Sequence, residues 1–123
     1  MYELALNTEV QSKLSKELWE CYPTDELDYE DVNKSKYLDA VVNETLRKHT
    51  TVGRIFRKAI ADYDFGDFKV KKGQTIGISL YNLHNDPALY KEPHKFNPER
   101  FISGELANSN NFQPIPFVDG PSK

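Results

Sequence analysis

The chain has 123 residues, enough for one domain with a sizeable core. It is 38% hydrophobic and 28% charged with a net charge of -3, an ordinary globular balance that argues against a basic nucleic-acid-binding surface. Its one cysteine, Cys21, excludes an intrachain disulfide, and apolar runs as short as Leu4-Ala5-Leu6 exclude a membrane span or signal peptide within these residues.

In chain order, Asn7 can cap a helix that carries Val10, Leu14 and Leu18 at four-residue spacing, and Pro23 ends it. The acidic stretch from Asp25 to Asp31 reads as a solvated loop. Ser35 is a candidate cap for the clearest helix, in which Leu38, Val41, Val42, Thr45 and Leu46 predict one buried stripe. After His49 the period changes. Thr51 to Ile60 is a strand candidate, Phe68 and Val70 alternate with lysines, and Ile76, Ile78 and Leu80 alternate with small or polar residues. Gly73 in Lys71-Lys72-Gly73 supplies the positive φ that a hairpin between those last two strands needs. Asp86-Pro87 predicts a cap and first turn for a short helix, Pro87 to Lys91, closed by Pro93. From Pro93 onward the chain is rich in Pro, Asn, Gly and Ser, with apolar anchors Phe96, Phe101, Phe112, Ile115 and Phe117. So long a loop in a small domain needs something to pin it.

Glu44 and Arg47 lie three apart on the strong helix and share a face. Spacing alone allows an exposed pair worth about 0.2–0.5 kcal/mol. Their place beside the predicted stripe suggests more, since a carboxylate keeps acceptor capacity after meeting one arginine. The other arginines are Arg54, Arg57 and Arg100, and Arg100 stands between the loop anchors Phe96 and Phe101. One carboxylate holding Arg47 and Arg100 would clamp the loop to the helix.

Those residues also carry a resemblance. Glu44-Thr45-Leu46-Arg47 is similar to the Glu-x-x-Arg helix of the cytochrome P-450 family, haem-thiolate monooxygenases. Glu92 to Phe101, "EPHKFNPERF", resembles the family's Pro-x-x-Phe-x-Pro-x-Arg-Phe segment. "YELALNTEVQSKL", "YLDAVVNETLR" and "NLHNDPALY" fit in order, and Phe117 to Lys123 resembles the start of the haem-ligand loop, Phe-x-x-Gly-x-Arg-x-Cys-x-Gly. The likeness is closest to the eukaryotic microsomal clan that oxidises drugs and insecticides. It implies an α+β fold, mainly helical, as part of a single P-450 domain: two long helices, small β-sheets and a long meander loop. It also implies that the chain is truncated at both ends, with the axial thiolate expected directly after Lys123.

The resemblance implies haem as cofactor, with Arg57 meeting a propionate and Phe117 and Gly120 shaping the ligand loop. The alternative for Arg57 is a plain strand-surface arginine. Thr51, Val52 and Gly53 would line the substrate pocket, or otherwise form a plain turn into a strand. Ser122 stands where the family usually has arginine or histidine, and Lys48-His49-Thr50-Thr51 lacks the proline usual after the helix. Cys21 reads as a structural or solvent-facing thiol, and His49, His84 and His94 have no metal-ligand spacing with it. The parent is expected to oxidise a lipophilic small molecule with O2 and electrons from an NADPH-dependent flavoprotein reductase, anchored in the endoplasmic reticulum membrane. The fragment by itself is expected to be inactive, with no catalytic residue or metal ligand of its own. The alternatives are a non-catalytic product of a partial gene or transcript, a same-fold peroxide-rearranging enzyme, and an unrelated α+β binding module.

Overall fold

The computed structural model describes residues 1–21 and 35–103. Pro23, the acidic stretch from Asp25 to Asp31, and Phe112, Ile115, Phe117, Gly120 and Ser122 lie outside them. In order come α1 (Tyr2–Leu6), α2 (Thr8–Cys21), α3 (Lys36–Lys48), β1 (Arg54–Lys58), β2 (Tyr63–Asp64), β3 (Lys69–Val70), β4 (Thr75–Ser79), α4 (Leu80–His84) and a 3-10 turn at Pro98–Phe101.

The two long helices form where the periodicity predicts them, and Leu14, Tyr37, Val41 and Phe96 bury one core between α2, α3 and the loop. Leu4, Val10, Leu18 and Leu38 pack around it. Each side chain fully buried there contributes about 1.5–3 kcal/mol. The buried face of α3 is nevertheless rotated from the predicted stripe. It holds Tyr37, Ala40, Val41, Glu44 and Arg47, whereas Val42 is 47% exposed. Val42, Thr45 and Leu46 instead line an open apolar groove of about 250 Å³ with Met1, Leu4 and Leu14. Polar partners from the loop let charged residues take the inside position, which hydrophobic periodicity cannot show.

The α3 cap also differs from the expected one. Ser35 occupies the cap position, but its hydroxyl makes no cap bond and donates to Glu17 Oε2 at 2.8 Å. Glu17 Oε1 then accepts from the free Tyr37 amide at 3.2 Å, so a carboxylate on α2 caps α3 from outside.

Two strand assignments are corrected. The Lys71–Gly73 turn forms, with Gly73 at φ +88°, but the strands on either side of it do not pair with each other. β4 pairs antiparallel with β1 (Arg54 opposite Ser79, Arg57 opposite Ile76), and β3 pairs with β2. Gly73 N donates to Ala59 O and Ala59 N to Gln74 O, which guides the chain from the turn onto β1. Leu80, expected in the last strand, opens α4 instead, and Ser79 Oγ caps it by accepting from Asn82 N.

The predicted helix from Pro87 to Lys91 is a single turn. Leu89 N and Tyr90 N both reach Asp86 O, and Asp86 Oδ1 accepts from Ala88 N, so the cap forms but the helix does not continue. The carbonyls of Lys91, Pro93 and Lys95 point elsewhere, to two guanidinium groups, and Glu92 takes φ +49° between them.

A buried carboxylate ties α1 to the end of α3. Glu3 accepts from His49 Nε2 at 2.6 Å and Lys48 Nζ at 3.2 Å, and Asn7 Nδ2 donates to it at 3.3 Å. Burial raises its carboxyl pKa, but the bonds from His49 and Lys48 outweigh that and hold it below the ordinary value. A depressed acid stabilises the fold above its unfolded pKa and loses that contribution as pH falls through the folded value. The chain should therefore lose stability on acidification below pH 4.5. Glu3→Gln should be weaker at pH 7 and show a shallower acid limb in urea melts. Parallel limbs would exclude Glu3 as the titrating group.

Candidate functional site

The structure brings Glu44, Arg47 and Arg100 together at the centre of the molecule. Glu44 and Arg47 are fully buried and Arg100 nearly so. Arg47 Nε donates to Glu44 Oε2 at 2.7 Å and Nη2 to Oε1 at 2.9 Å, a two-pronged pair on one helix face. Arg100 Nε donates to the same Oε1 at 3.2 Å, and the Asn97 backbone N–H donates to it at 2.9 Å.

The remaining guanidinium donors do not go to waste. Arg47 Nη1 donates to His84 O and Nη2 to Pro93 O, and its Cζ lies 5.1 Å from the Tyr90 ring centroid. Arg100 Nη1 donates to Lys91 O and Nη2 to Lys95 O. Helix α3 thus holds α4, the turn before Pro93 and the 3-10 segment through one carboxylate and two guanidiniums. Asn97 caps that segment by accepting from Glu99 N, with Pro98 at its first position. An exposed ion pair between Lys13 and Glu99 links it to α2.

The carbonyl partners and the Asn97 amide were not legible as participants. Asn97-Pro98 carried the only signal, as a cap followed by proline.

The segment after α3 is held from both ends by α4. Thr50 Oγ1 donates to Arg47 O at 3.0 Å and so accepts from His84 Nδ1 at 2.9 Å. Among the described residues, the buried His84 Nε2 has no hydrogen-bond partner. Burial, helped by the nearby Arg47 charge, pushes the His84 pKa down and keeps the ring neutral at pH 7. At the other end Leu80 N and Tyr81 N both reach Gly53 O. Thr51, Val52 and Gly53 lie exposed between these anchors, and a Cβ on Gly53 would meet nothing within 4 Å. Arg57 is exposed on β1. Its Nη1 donates to Phe56 O, and no carboxylate pairs with it among the described residues. Phe117 and Gly120 lie outside those residues. Cys21 is a free, exposed thiol at the end of α2.

The family model described as Cytochrome P-450 matches residues 1–123. The chain belongs to the cytochrome P-450 family. It is 42% identical to cytochrome P-450 6l1 of Blattella germanica over 98% of its own length and 25% of that protein. It is 37% identical to cytochrome P-450 3A19 of Capra hircus aegagrus, covering 98% of this chain and 56% of that one. The fold matches the retinoic-acid-bound cyanobacterial CYP120A1 with a TM-score of 0.83 and 33% identity, over 94% of this chain and 26% of the other. The chain thus spans about a quarter of the insect relative and of the solved structure. The α+β architecture, mainly helical with two small antiparallel sheets among the described residues, is a part of the P-450 fold. P-450 proteins are haem-binding oxidoreductases of the monooxygenase type, and the similarity reaches both insect and mammalian members. Arg57 is exposed on β1, and its guanidinium has donors of the kind that suit a carboxylate such as a haem propionate. No helix among the described residues is long and apolar enough to cross a membrane.

Proposed function

We propose that the whole protein oxidises a lipophilic small molecule with O2 and electrons from an NADPH-dependent flavoprotein reductase, at the endoplasmic reticulum membrane. The observation that carries this reading is the buried Glu44–Arg47–Arg100 clamp, within a chain that matches the P-450 family over its full length. When bound, haem supplies the oxygen chemistry. In this reading Arg57 donates to a haem propionate, and Thr51, Val52 and Gly53 form one wall of the substrate pocket. By resemblance, Phe117 and Gly120 belong to the haem-ligand motif Phe-x-x-Gly-x-Arg-x-Cys-x-Gly, whose cysteine supplies the thiolate. The clamp is structural: it holds α4, the turn before Pro93 and the 3-10 segment on α3. None of the 123 residues is then a catalytic residue.

A haem titration tests this. The 123-residue chain, reduced under carbon monoxide, should give no red-shifted thiolate-type Soret band. A longer product of the same coding sequence, carrying a cysteine directly after Lys123, should give one, and Arg57→Ala in it should weaken haem retention. A stable thiolate-type band from the 123-residue chain, kept after Cys21→Ser, would overturn the assignment.

A further inference from the structure

Hydrogen bonds close a ring at the exit from α3, and in it Arg47, His84 and Thr50 each donate once and accept once. Arg47 Nη1 donates to His84 O at 2.7 Å, His84 Nδ1 to Thr50 Oγ1 at 2.9 Å, and Thr50 Oγ1 to Arg47 O at 3.0 Å. Bonds that run in one sense around such a ring polarise and strengthen one another. The ring also fixes the state of the imidazole. Thr50 has one hydroxyl proton and gives it to Arg47 O, so Nδ1 carries the imidazole proton. The other tautomer would draw that hydroxyl proton away from Arg47 O. It would also set an N–H at the buried Nε2, where no described residue accepts it. A buried N–H without an acceptor is the rarer defect in proteins.

His84 is therefore a junction: its carbonyl belongs to the clamp and its ring to the exit from α3. Leu80, one turn earlier on α4, is buried on the same face. At that end Leu80 N donates to Gly53 O at 3.1 Å and Tyr81 N at 3.4 Å. The short α4 thus grips the chain on both sides of Thr51 and Val52, with Gly53 at its start and Thr50 at its end. No proline stiffens Lys48-His49-Thr50-Thr51, and His49, at φ -114° and ψ 61°, has already left the helical conformation. The Thr50 hydroxyl supplies the missing restraint, and β1 begins directly after Gly53.

We infer that His84, locked as its Nδ1–H tautomer, is a positioning residue that acts through Thr50 to set where Thr51, Val52 and Gly53 stand, and so shapes the substrate pocket. The pocket part rests on the proposed function; the ring of bonds does not. A histidine that merely filled the core would be indifferent to its tautomer. It would also be replaced better by Gln, which is nearer to it in volume, than by Asn. A positioning histidine reverses that order, because Asn presents an N–H where Nδ1 stands and Gln presents one where Nε2 stands.

The test has two arms. In the 123-residue chain, a long-range proton–nitrogen correlation spectrum should show the His84 ring protonated at Nδ1 and bare at Nε2, its signals being those lost in His84→Gln. Thr50→Val keeps the side-chain shape and removes the acceptor. It should shift the ring towards the Nε2–H form and speed amide exchange at Leu80 and Tyr81 by about two- to tenfold. His84→Asn should keep that exchange slow, and His84→Gln should not. The second arm uses the longer product that carries the cysteine. Imidazole and phenylimidazole bind haem iron through the same ring, but only the phenyl group reaches a pocket wall. Thr50→Val and His84→Gln should weaken phenylimidazole relative to imidazole by about two- to tenfold, with the thiolate-type band kept. His84→Asn should hold the wild-type ratio. A wild-type ring protonated at Nε2, exchange at Leu80 and Tyr81 unmoved by Thr50→Val, or Gln serving better than Asn would overturn the inference and leave the haem reading in place. If the first arm holds and the ratio does not move, Thr51 to Gly53 are not the wall, and the pocket role of His84 falls with that assignment.

Discussion

Glu44→Ala is expected to destabilise the chain by about 3–5 kcal/mol, a large part of the total stability of a domain this size. The carboxylate accepts from Arg47 at two atoms, from Arg100 and from the Asn97 amide, and all of this lies out of water. Removing it leaves two buried guanidiniums with no counter-charge and an amide without an acceptor. Neither arginine can shed its charge, so the site must open or admit water. Arg100→Ala should cost less than Glu44→Ala, because Glu44 keeps its two-pronged partner and Arg100 is the more peripheral member. Replacing the whole triad by apolar residues of similar volume should recover much of the loss in stability, since charges and their desolvation leave together. Such a chain should still lose the fixed path of residues 91–97, whose carbonyls then have no guanidinium to meet. Urea melts of the three variants, with hydrogen exchange across residues 88–100, read both effects. A Glu44→Ala chain within 1 kcal/mol of wild type would show that the buried pair is not sustained in solution.

Phe96→Ala is the second large effect, about 3–5 kcal/mol. Phe96 is 5% exposed and packs with Leu14, Tyr37 and Val41 in the core cluster. Its neighbours on either side serve the clamp: Lys95 O receives Arg100, and Asn97 N donates to Glu44. Apolar anchor and polar clamp therefore hold adjacent links of one backbone, and their losses should not add. A double-mutant cycle with Glu44→Gln should give a coupling energy in the range of about 0.5–3 kcal/mol. Phe68→Ser is the contrast, because the residue is equally aromatic but exposed, and it should change stability by no more than about 0.5 kcal/mol. A Phe96→Ala chain as stable as the Phe68→Ser chain would mean that the loop is not part of the core.

Much of the architecture is local and therefore legible. Leu14 and Leu18 repeat at the helical period, and Thr51 to Ile60 contains β1. Asn97-Pro98 marks a cap. Glu44, Arg47 and Arg100 could be matched because a carboxylate has room for two guanidiniums and few arginines were available to fill it. Other choices were made at a distance. Which face of α3 turned inward depended on loop carbonyls and the Asn97 amide that make a buried ion pair tolerable. Strand partners depended on Ala59 meeting Gly73 and Gln74 across a turn, not on the alternation within either strand. The residues Pro87 to Lys91 have a helical start signal, but the carbonyls beyond it are taken by Arg47 and Arg100, so one turn is all that forms. The chain alone determined the two long helices, the turn sites and the identity of the clamp, since those follow from period, backbone conformation and donor capacity within short reach. Only the tertiary structure decided facing, pairing and the path of the meander, because a buried backbone or charged group must find its partner wherever the fold supplies one.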